Sequence, residues 1–313
     1  MALRIFTEPQ VGASYDQLLA VARTAEDGGF GAFFRSDHYL KMGDWSGLPA
    51  YTDAWTTLAG LARDTTTIRL GTLVTPVTFR PVGTFPAIVA EVDHMSGGRV
   101  EVGLGAGWYK DEHDAYGLAF PPVGTRYDLL EDQLAILHGV WSAAPGATFD
   151  YEGRTCRVRV QADPLRPAQR PHAPIVMGGR GGPRNASLAA QYADEFNVAF
   201  VPLDVMQQTH DAVRRACEVR GRDPGTMVWS VALVVCCGES TAEVSRRARA
   251  MRREVDELRE NGLAGSPAEV LDKLGTYAAA GAERFYLQVL DVSDLDHIRL
   301  IADQVQPHFP AAR

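Results

Sequence analysis

A chain of 313 residues, 46% hydrophobic and 22% charged, can bury a large core in one big α/β domain or two ordinary ones. Its net charge of −8 argues against non-specific nucleic-acid binding and anionic membrane surfaces, both of which need positive patches. Four cysteines without CxxC spacing (Cys156, Cys217, Cys236, Cys237), no signal-peptide pattern in MALRIFTEPQ and no run of ~18 apolar residues predict a soluble cytoplasmic protein without structural zinc.

Short apolar runs alternate with longer helical patterns along the chain. LRIFTE (3–8) reads as a strand, and residues 14–27 as a helix with Leu18, Leu19, Ala22 and Ala25 on one face and Gly28-Gly29 as its stop. GAFFRS (31–36) is the second strand, followed by a helix over 54–63 that Asp53 can cap. TIRLGTLV (67–74) and RVEVGLG (99–105) are the third and fourth strands, with helices at 87–95 and 126–141. PIVMGG (174–179), EFNVAF (195–200), MVWSVALVVCC (227–237) and RFYLQVL (284–290) complete eight strands. Helices at 184–193 and 204–219, charged helical sequence to about 260, and a closing helix at 294–306 lie between and after them. Adjacent Cys236 and Cys237 should point to opposite faces of the seventh strand.

Eight strand–helix units in one chain predict a (β/α)8 TIM barrel, in a single domain spanning 1–313, rather than a doubly wound sheet. The rhythm breaks at 145–172, a Pro-rich insertion between strands four and five with a hairpin at FDYEGRTCRV. In such a barrel the chemistry sits in the loops that follow the strands, here 36–48, 74–86, 105–125 and 178–184.

Three segments in those loops carry candidate chemistry. His38, in FFRSDHY, leaves a buried strand at the functional face and can exchange a proton near neutrality. Asp37 precedes it, but neighbours on an extended strand point apart, so Asp37 is not expected to orient His38 unless the chain turns. The chain holds no HxH, HxxxH or HExxH pattern for a metal. GLGAGW (103–108) fails the dinucleotide fingerprint, because Trp108 stands where the third glycine belongs; its alternating glycines leave backbone open to a flat ring, or else serve a tight turn. MGGRGGPRNASLAA (177–190) runs from a strand through a glycine loop into a helix, where free amides, Arg180 and Arg184 favour an anion such as phosphate. Prolines and β-branched residues in GTLVTPVTFRPVG (71–83) suggest a bulge, and Trp45 and Trp108 belong to the rim or a pocket wall, or else are packing residues.

Taken together, SDHY, IRLGTLV, DHMSGGRVEVGLGAGWYKDEHDAYGLAFPPVGTRYDLLEDQLAIL and RPHAPIVMGGRGGPRNASLAAQYADEFNV resemble the bacterial luciferase-like superfamily, and within it the oxidoreductases that use the deazaflavin F420. The resemblance covers most of the chain to about residue 200. It implies a cofactor ring at the barrel mouth, backed by a bulge with a non-proline cis peptide at Leu73-Val74 after Thr72. It places Asp37 and His38 near the reactive carbon, Gly105, Ala106, Gly107 and Trp108 around the ring, and Gly178, Gly179 and Arg180 at the phosphate. Sugar-phosphate dehydrogenases of this family carry a glutamate after the strand-four glycines; Trp108 occupies that position, with Glu112 four residues on. The resemblance therefore implies hydride transfer to or from a small organic substrate, with reduction of an activated alkene, imine or carbonyl favoured over sugar-phosphate oxidation. The alternatives are an FMN-dependent monooxygenase using oxygen and a ligand-binding barrel without chemistry. A homodimer is expected from the resemblance alone.

Overall fold

The computed structural model describes residues 2–49, 51–144, 146–160 and 164–309. From the N-terminus, β1 (Ala2–Thr7) leads into α1 (Tyr15–Asp27), where Ser14 and Gln17 form a reciprocal capping box and Gly28 ends the helix. Strand β2 (Ala32–Arg35) precedes α2 (Ala54–Asp64), capped by Asp53 through the Thr56 amide at 2.8 Å. Next come β3 (Arg69–Thr72), the two-residue β4 (Thr75–Pro76), α3 (Phe85–Ser96), β5 (Val100–Gly105), α4 (Lys110–Tyr116) and α5 (Val123–Ser142). The hairpin β6 (Phe149–Glu152) and β7 (Arg157–Val160) leads to β8 (Ile175–Gly178), α6 (Pro183–Tyr192), β9 (Glu195–Ala199), α7 (Leu203–Val219) and β10 (Val228–Cys237). The chain finishes with α8 (Thr241–Ala250), α9 (Val255–Asn261), β11 (Leu263–Gly265), α10 (Pro267–Ala279), β12 (Arg284–Val289) and α11 (Leu295–Gln304).

Eight of these strands pair in parallel in the order β1, β2, β3, β5, β8, β9, β10, β12, and β12 pairs back onto β1, so the sheet closes into the expected barrel. Cys236 and Cys237 join different apolar clusters on opposite faces of β10, as the alternation required. Three stretches differ from the sequence reading, one being α4, which falls inside the loop expected at 105–125. The third strand stops at Thr72 because the chain bulges at 73–74 and resumes pairing with β5 through Thr75. The charged segment after β10 divides into α8 and α9 at Arg252, and α10, unread from the sequence, starts at the Ser266–Glu269 capping box. No helix among the described residues is long and apolar enough to cross a membrane.

The barrel interior is layered, because alternate residues of each strand point inward. Arg4, Glu101, Glu195 and Tyr286 form a buried polar layer at the bottom. Phe6, Phe34, Val176 and Ala232 belong to the apolar layer above it. The layer at the mouth is where the candidate site lies.

The insertion is an outer feature. Phe149 packs where Gly139 of α5 has no side chain; a Cβ there would stand 2.0 Å from the ring. The buried Asp132 carboxylate accepts from Tyr151 Oη (2.8 Å), Thr155 Oγ1 (2.6 Å) and the amides of Arg154 and Thr155, tying the hairpin to α5. Pro145 and residues 161–163 of the predicted insertion lie outside the described residues.

Candidate active site

The floor of the mouth is a bulge between β3 and β4. The Leu73–Val74 peptide is cis, as the resemblance implied, and Thr72 donates to the Gly103 carbonyl at 3.1 Å. Val74 projects among the strand-end glycines. A Cβ on Gly103 would lie 1.9 Å from the Thr72 carbonyl oxygen, one on Gly105 2.9 Å from Val74 Cγ2, and one on Gly178 3.6 Å from Val74 Cγ1. This corrects the expectation that the β5 glycines leave backbone open to a ring: the space at Gly103 and Gly105 is filled by the bulge. Openness begins at Ala106 and at Gly107, whose φ of +77° suits glycine, and ends at Trp108, 65% exposed.

Asp37 and His38 point apart, as adjacent residues should, and find separate partners. Asp37 is buried; it pairs with Arg80 and accepts from Thr75 Oγ1 at 2.8 Å, and Thr75 accepts in turn from Trp55 Nε1 at 3.1 Å. Arg80 also pairs with Asp53 at 2.6 Å. Burial opposes the Asp53 charge, but the Thr56 amide and Arg80 outweigh it and hold the carboxyl at about 2. The resemblance placed Asp37 near the reactive carbon; in the structure its oxygens are held by Arg80 and Thr75, so it anchors the bulge.

His38 is the group that faces the mouth. Its Nδ1 lies 2.8 Å from Glu112 Oε1, and Oε2 of the same carboxylate accepts from the amides of Tyr39 (2.8 Å) and Leu40 (3.3 Å). Glu112 is fully buried on α4, so it fixes the loop and the ring together and favours the tautomer with its proton on Nδ1. Nε2 makes no hydrogen bond among the described residues. Trp108 and Tyr109 stack at 5.2 Å and present edges to His38 at 5.9 and 6.2 Å.

Gly178, Gly179 and Arg180 end β8 at the mouth, with Arg180 exposed ahead of α6. Asn185 caps one loop amide, Gly181, at 3.2 Å; the N-cap, Gly182, brings no side-chain acceptor, so the α6 amides keep an anion-binding face. Arg184 is a correction. It donates to Asp128 (2.7 Å), Glu131 (3.3 Å) and the Gly124 carbonyl (3.0 Å), and its charge is committed to α5. Trp45 takes the packing alternative: it lies against the apolar cluster that holds Val234, Cys236 and Leu290, with the Arg252 guanidinium 5.2 Å from its ring, and so docks the loop after β2 onto the turn between α8 and α9. Among the described residues no cluster of three His, Cys, Asp or Glu side chains could hold a metal ion.

Two mouth residues went unread in the sequence. Glu8, just past β1, continues the inward alternation of Arg4 and Phe6, and that two-residue period was the available signal. Phe200 ends β9 at a φ of +54°, a region bulky residues rarely adopt, with its ring 41% exposed and stacked over Phe6 at 6.4 Å. No sequence signal marks that conformation.

The model of the family described as luciferase-like monooxygenase matches residues 1–261. The chain belongs to that family. Among curated relatives, the F420-dependent hydroxymycolic acid dehydrogenase of Mycobacterium tuberculosis is 27% identical over 228 residues, 72% of this chain and 61% of the relative. The chain spans less than two-thirds of the length of this and of an uncharacterized M. tuberculosis relative that is 32% identical over 191 residues. Two solved structures share the fold at 18% identity. One is the coenzyme F420-dependent tetrahydromethanopterin reductase of Methanopyrus kandleri (TM-score 0.82, covering 98% of this chain and 99% of that one). The other is the oxygenating constituent of 3,6-diketocamphane monooxygenase of Pseudomonas putida in complex with FMN (TM-score 0.80, 98% and 99%). Luciferase-like neighbours of this chain thus use either F420 or FMN.

Proposed function

We propose that this protein is an F420-dependent oxidoreductase that transfers hydride between the deazaflavin and a small organic substrate, acting as a reductase of an activated alkene, imine or carbonyl. The observation that carries the reading is His38, held at Nδ1 by buried Glu112 and with Nε2 unbonded among the described residues, on the segment that Asp37 ties to the bulge through Thr75. The residues present fit the cofactor: the Leu73-Val74 bulge gives a side-chain-poor floor, Gly107 and Trp108 a flank, and Gly178, Gly179 and Arg180 at the α6 N-terminus an anion seat. When bound, the deazaflavin supplies the hydride chemistry. The chain supplies position and proton: Asp37 and Arg80 hold the bulge, Glu112 fixes the imidazole, and His38 Nε2 meets the polar atom of the substrate. The F420 name of the M. tuberculosis dehydrogenase supports this choice of cofactor.

Fluorescence titration of the protein with F420, and separately with reduced FMN, tests the reading. Micromolar or tighter binding of the deazaflavin alone supports it; preference for reduced FMN replaces it with an oxygen-using monooxygenase. Replacing His38 with Ala should lower turnover roughly 10²–10⁴-fold while cofactor affinity stays within a few fold. Undiminished turnover would remove His38 from the mechanism.

A further inference from the structure

Glu8 lies at the mouth on the inward row of β1, part-buried beside the loop that carries His38. Its carboxylate accepts from two neutral amides, Gln288 Nε2 at 2.8 Å and Gln10 Nε2 at 3.3 Å, and among the described residues it has no ion pair. Gln10 is itself fixed, since its Oε1 accepts from Ser36 Oγ at 2.6 Å. A carboxyl so placed, with amide donors, no cation in contact and one face to the mouth, suits a group that gains and loses a proton rather than one that cements the fold. Burial pushes its pKa above the ordinary carboxylate range, with His38, Gln288 and Gln10 pulling the other way. The other charges on the elements around it are turned elsewhere. Asp37 pairs with Arg80, Arg35 donates to Thr52 and Thr57 on the α2 side, and Asp291 accepts from Ser293. His38 is the one charge of opposite sign that bears on it.

We propose that Glu8 is a second acid–base residue of this site, sharing with His38 the handling of the proton that accompanies hydride transfer, and that the substrate is a neutral molecule whose polar atom lies between Glu8 and His38. The proposal rests on the hydride-transfer reading above. In the reducing direction the substrate gains hydride from the reduced deazaflavin at one end of its double bond. The electron pair of that bond moves to the other end, and that atom takes the proton as the Glu8 O–H bond breaks. The carboxylate left behind is stabilised by Gln288, Gln10 and the nearby imidazole, then takes a proton from solvent. An anionic substrate is disfavoured, because the Glu8 carboxylate formed in each turnover would face it.

The test compares wild type with Glu8→Gln, which keeps the shape and one of the two accepted amide bonds, the other requiring the Gln288 amide to turn over, and Glu8→Asp, which keeps the acid but shortens it. With glutamate labelled at its side-chain carboxyl carbon, NMR titration of the wild type should show one late-titrating carboxyl that is absent from Glu8→Gln. In His38→Ala the same carboxyl should titrate later still, because the downward pull of His38 on it is gone. With F420 and an accepted substrate, Glu8→Gln should lose roughly 10²-fold or more in kcat and lose one ionisation from its pH profile. Glu8→Asp should retain that ionisation, and F420 affinity should stay within a few fold in both variants. No late-titrating carboxyl, or a Glu8→Gln enzyme with unchanged kcat and pH profile, would overturn the proposal. If the wild type binds no F420, the functional reading fails separately, and the NMR titration still reports on Glu8.

Discussion

The two ends of the barrel interior hold the same residue type in opposite conditions. At the bottom, Glu101 accepts two hydrogen bonds from Arg4, at 2.6 and 3.0 Å, and pairs also with Arg69, while Glu195 pairs with Arg284 and accepts from Tyr286 Oη at 2.7 Å. At the mouth, Glu8 has two amides and Glu112 has an imidazole and two backbone amides. Both carboxylates whose shift is resolved are opposed by burial, yet Glu101 titrates well below the ordinary range because Arg4 and Arg69 outweigh burial, whereas Glu8 titrates above it. Asp132 refines the lesson. Without a cation among its donors, its carboxyl is still held down against burial, by Thr155, Tyr151 and the Arg154 amide. The number and charge of the donors decide between cement and chemistry, not depth alone.

The largest effect should come from the bottom layer. Replacing Glu101 with Gln leaves Arg4 buried without its counter-charge, and should lower folding stability by about 3–5 kcal/mol in denaturant titration. A loss under ~1 kcal/mol would mean that water reaches this layer. Next, Asp132→Asn removes acceptor capacity under the hairpin. It should cost about 1–3 kcal/mol and speed proteolysis between residues 149 and 160; an unchanged cleavage pattern would show that Phe149 packing alone holds the hairpin. The smallest effect has the opposite sign. Because the folded state raises the Glu8 pKa, its contribution is present in full below about pH 4 and is lost as pH rises through the folded value. Glu8→Gln should therefore stabilise the protein at neutral pH and not in acid. Glu101 runs the other way: its contribution is present above the ordinary carboxylate pKa and lost as pH falls below it. Parallel pH–stability curves for the two variants would erase the contrast.

A separate acid test concerns His210, fully buried on α7, whose pKa burial presses down to about 4. The unfolded chain binds that proton near pH 6.5, so stability should fall between about pH 6.5 and 4. His210→Phe should flatten that part of the curve by roughly 3 kcal/mol.

Much of this was legible in the sequence, because the strand and helix periods are strong and the loops fall where the barrel places function. Strand alternation alone parts Asp37 from His38, and the family resemblance implies the cis peptide at Leu73-Val74. What escaped depends on three dimensions. The glycines of β5 look like an open cradle until the bulge is seen to fill it. Arg184 looks free until Asp128 and Glu131, more than fifty positions away, are found beside it. The pairing of His38 with Glu112 spans 74 positions and needs α4, a helix of seven residues that periodicity does not flag. Phe200 adopts a positive φ that its residue type does not announce.

The way Val74 sits among Gly103, Gly105 and Gly178 has an evolutionary consequence. A surface made by one valine side chain set against main chain, with no room for an added carbon at two of those three glycines, offers selection little to vary. Novelty must enter through the side chains around it, on the segments carrying His38, Trp108 and Phe200. Descendants of such a protein would inherit the seat unchanged and trade what is brought to it.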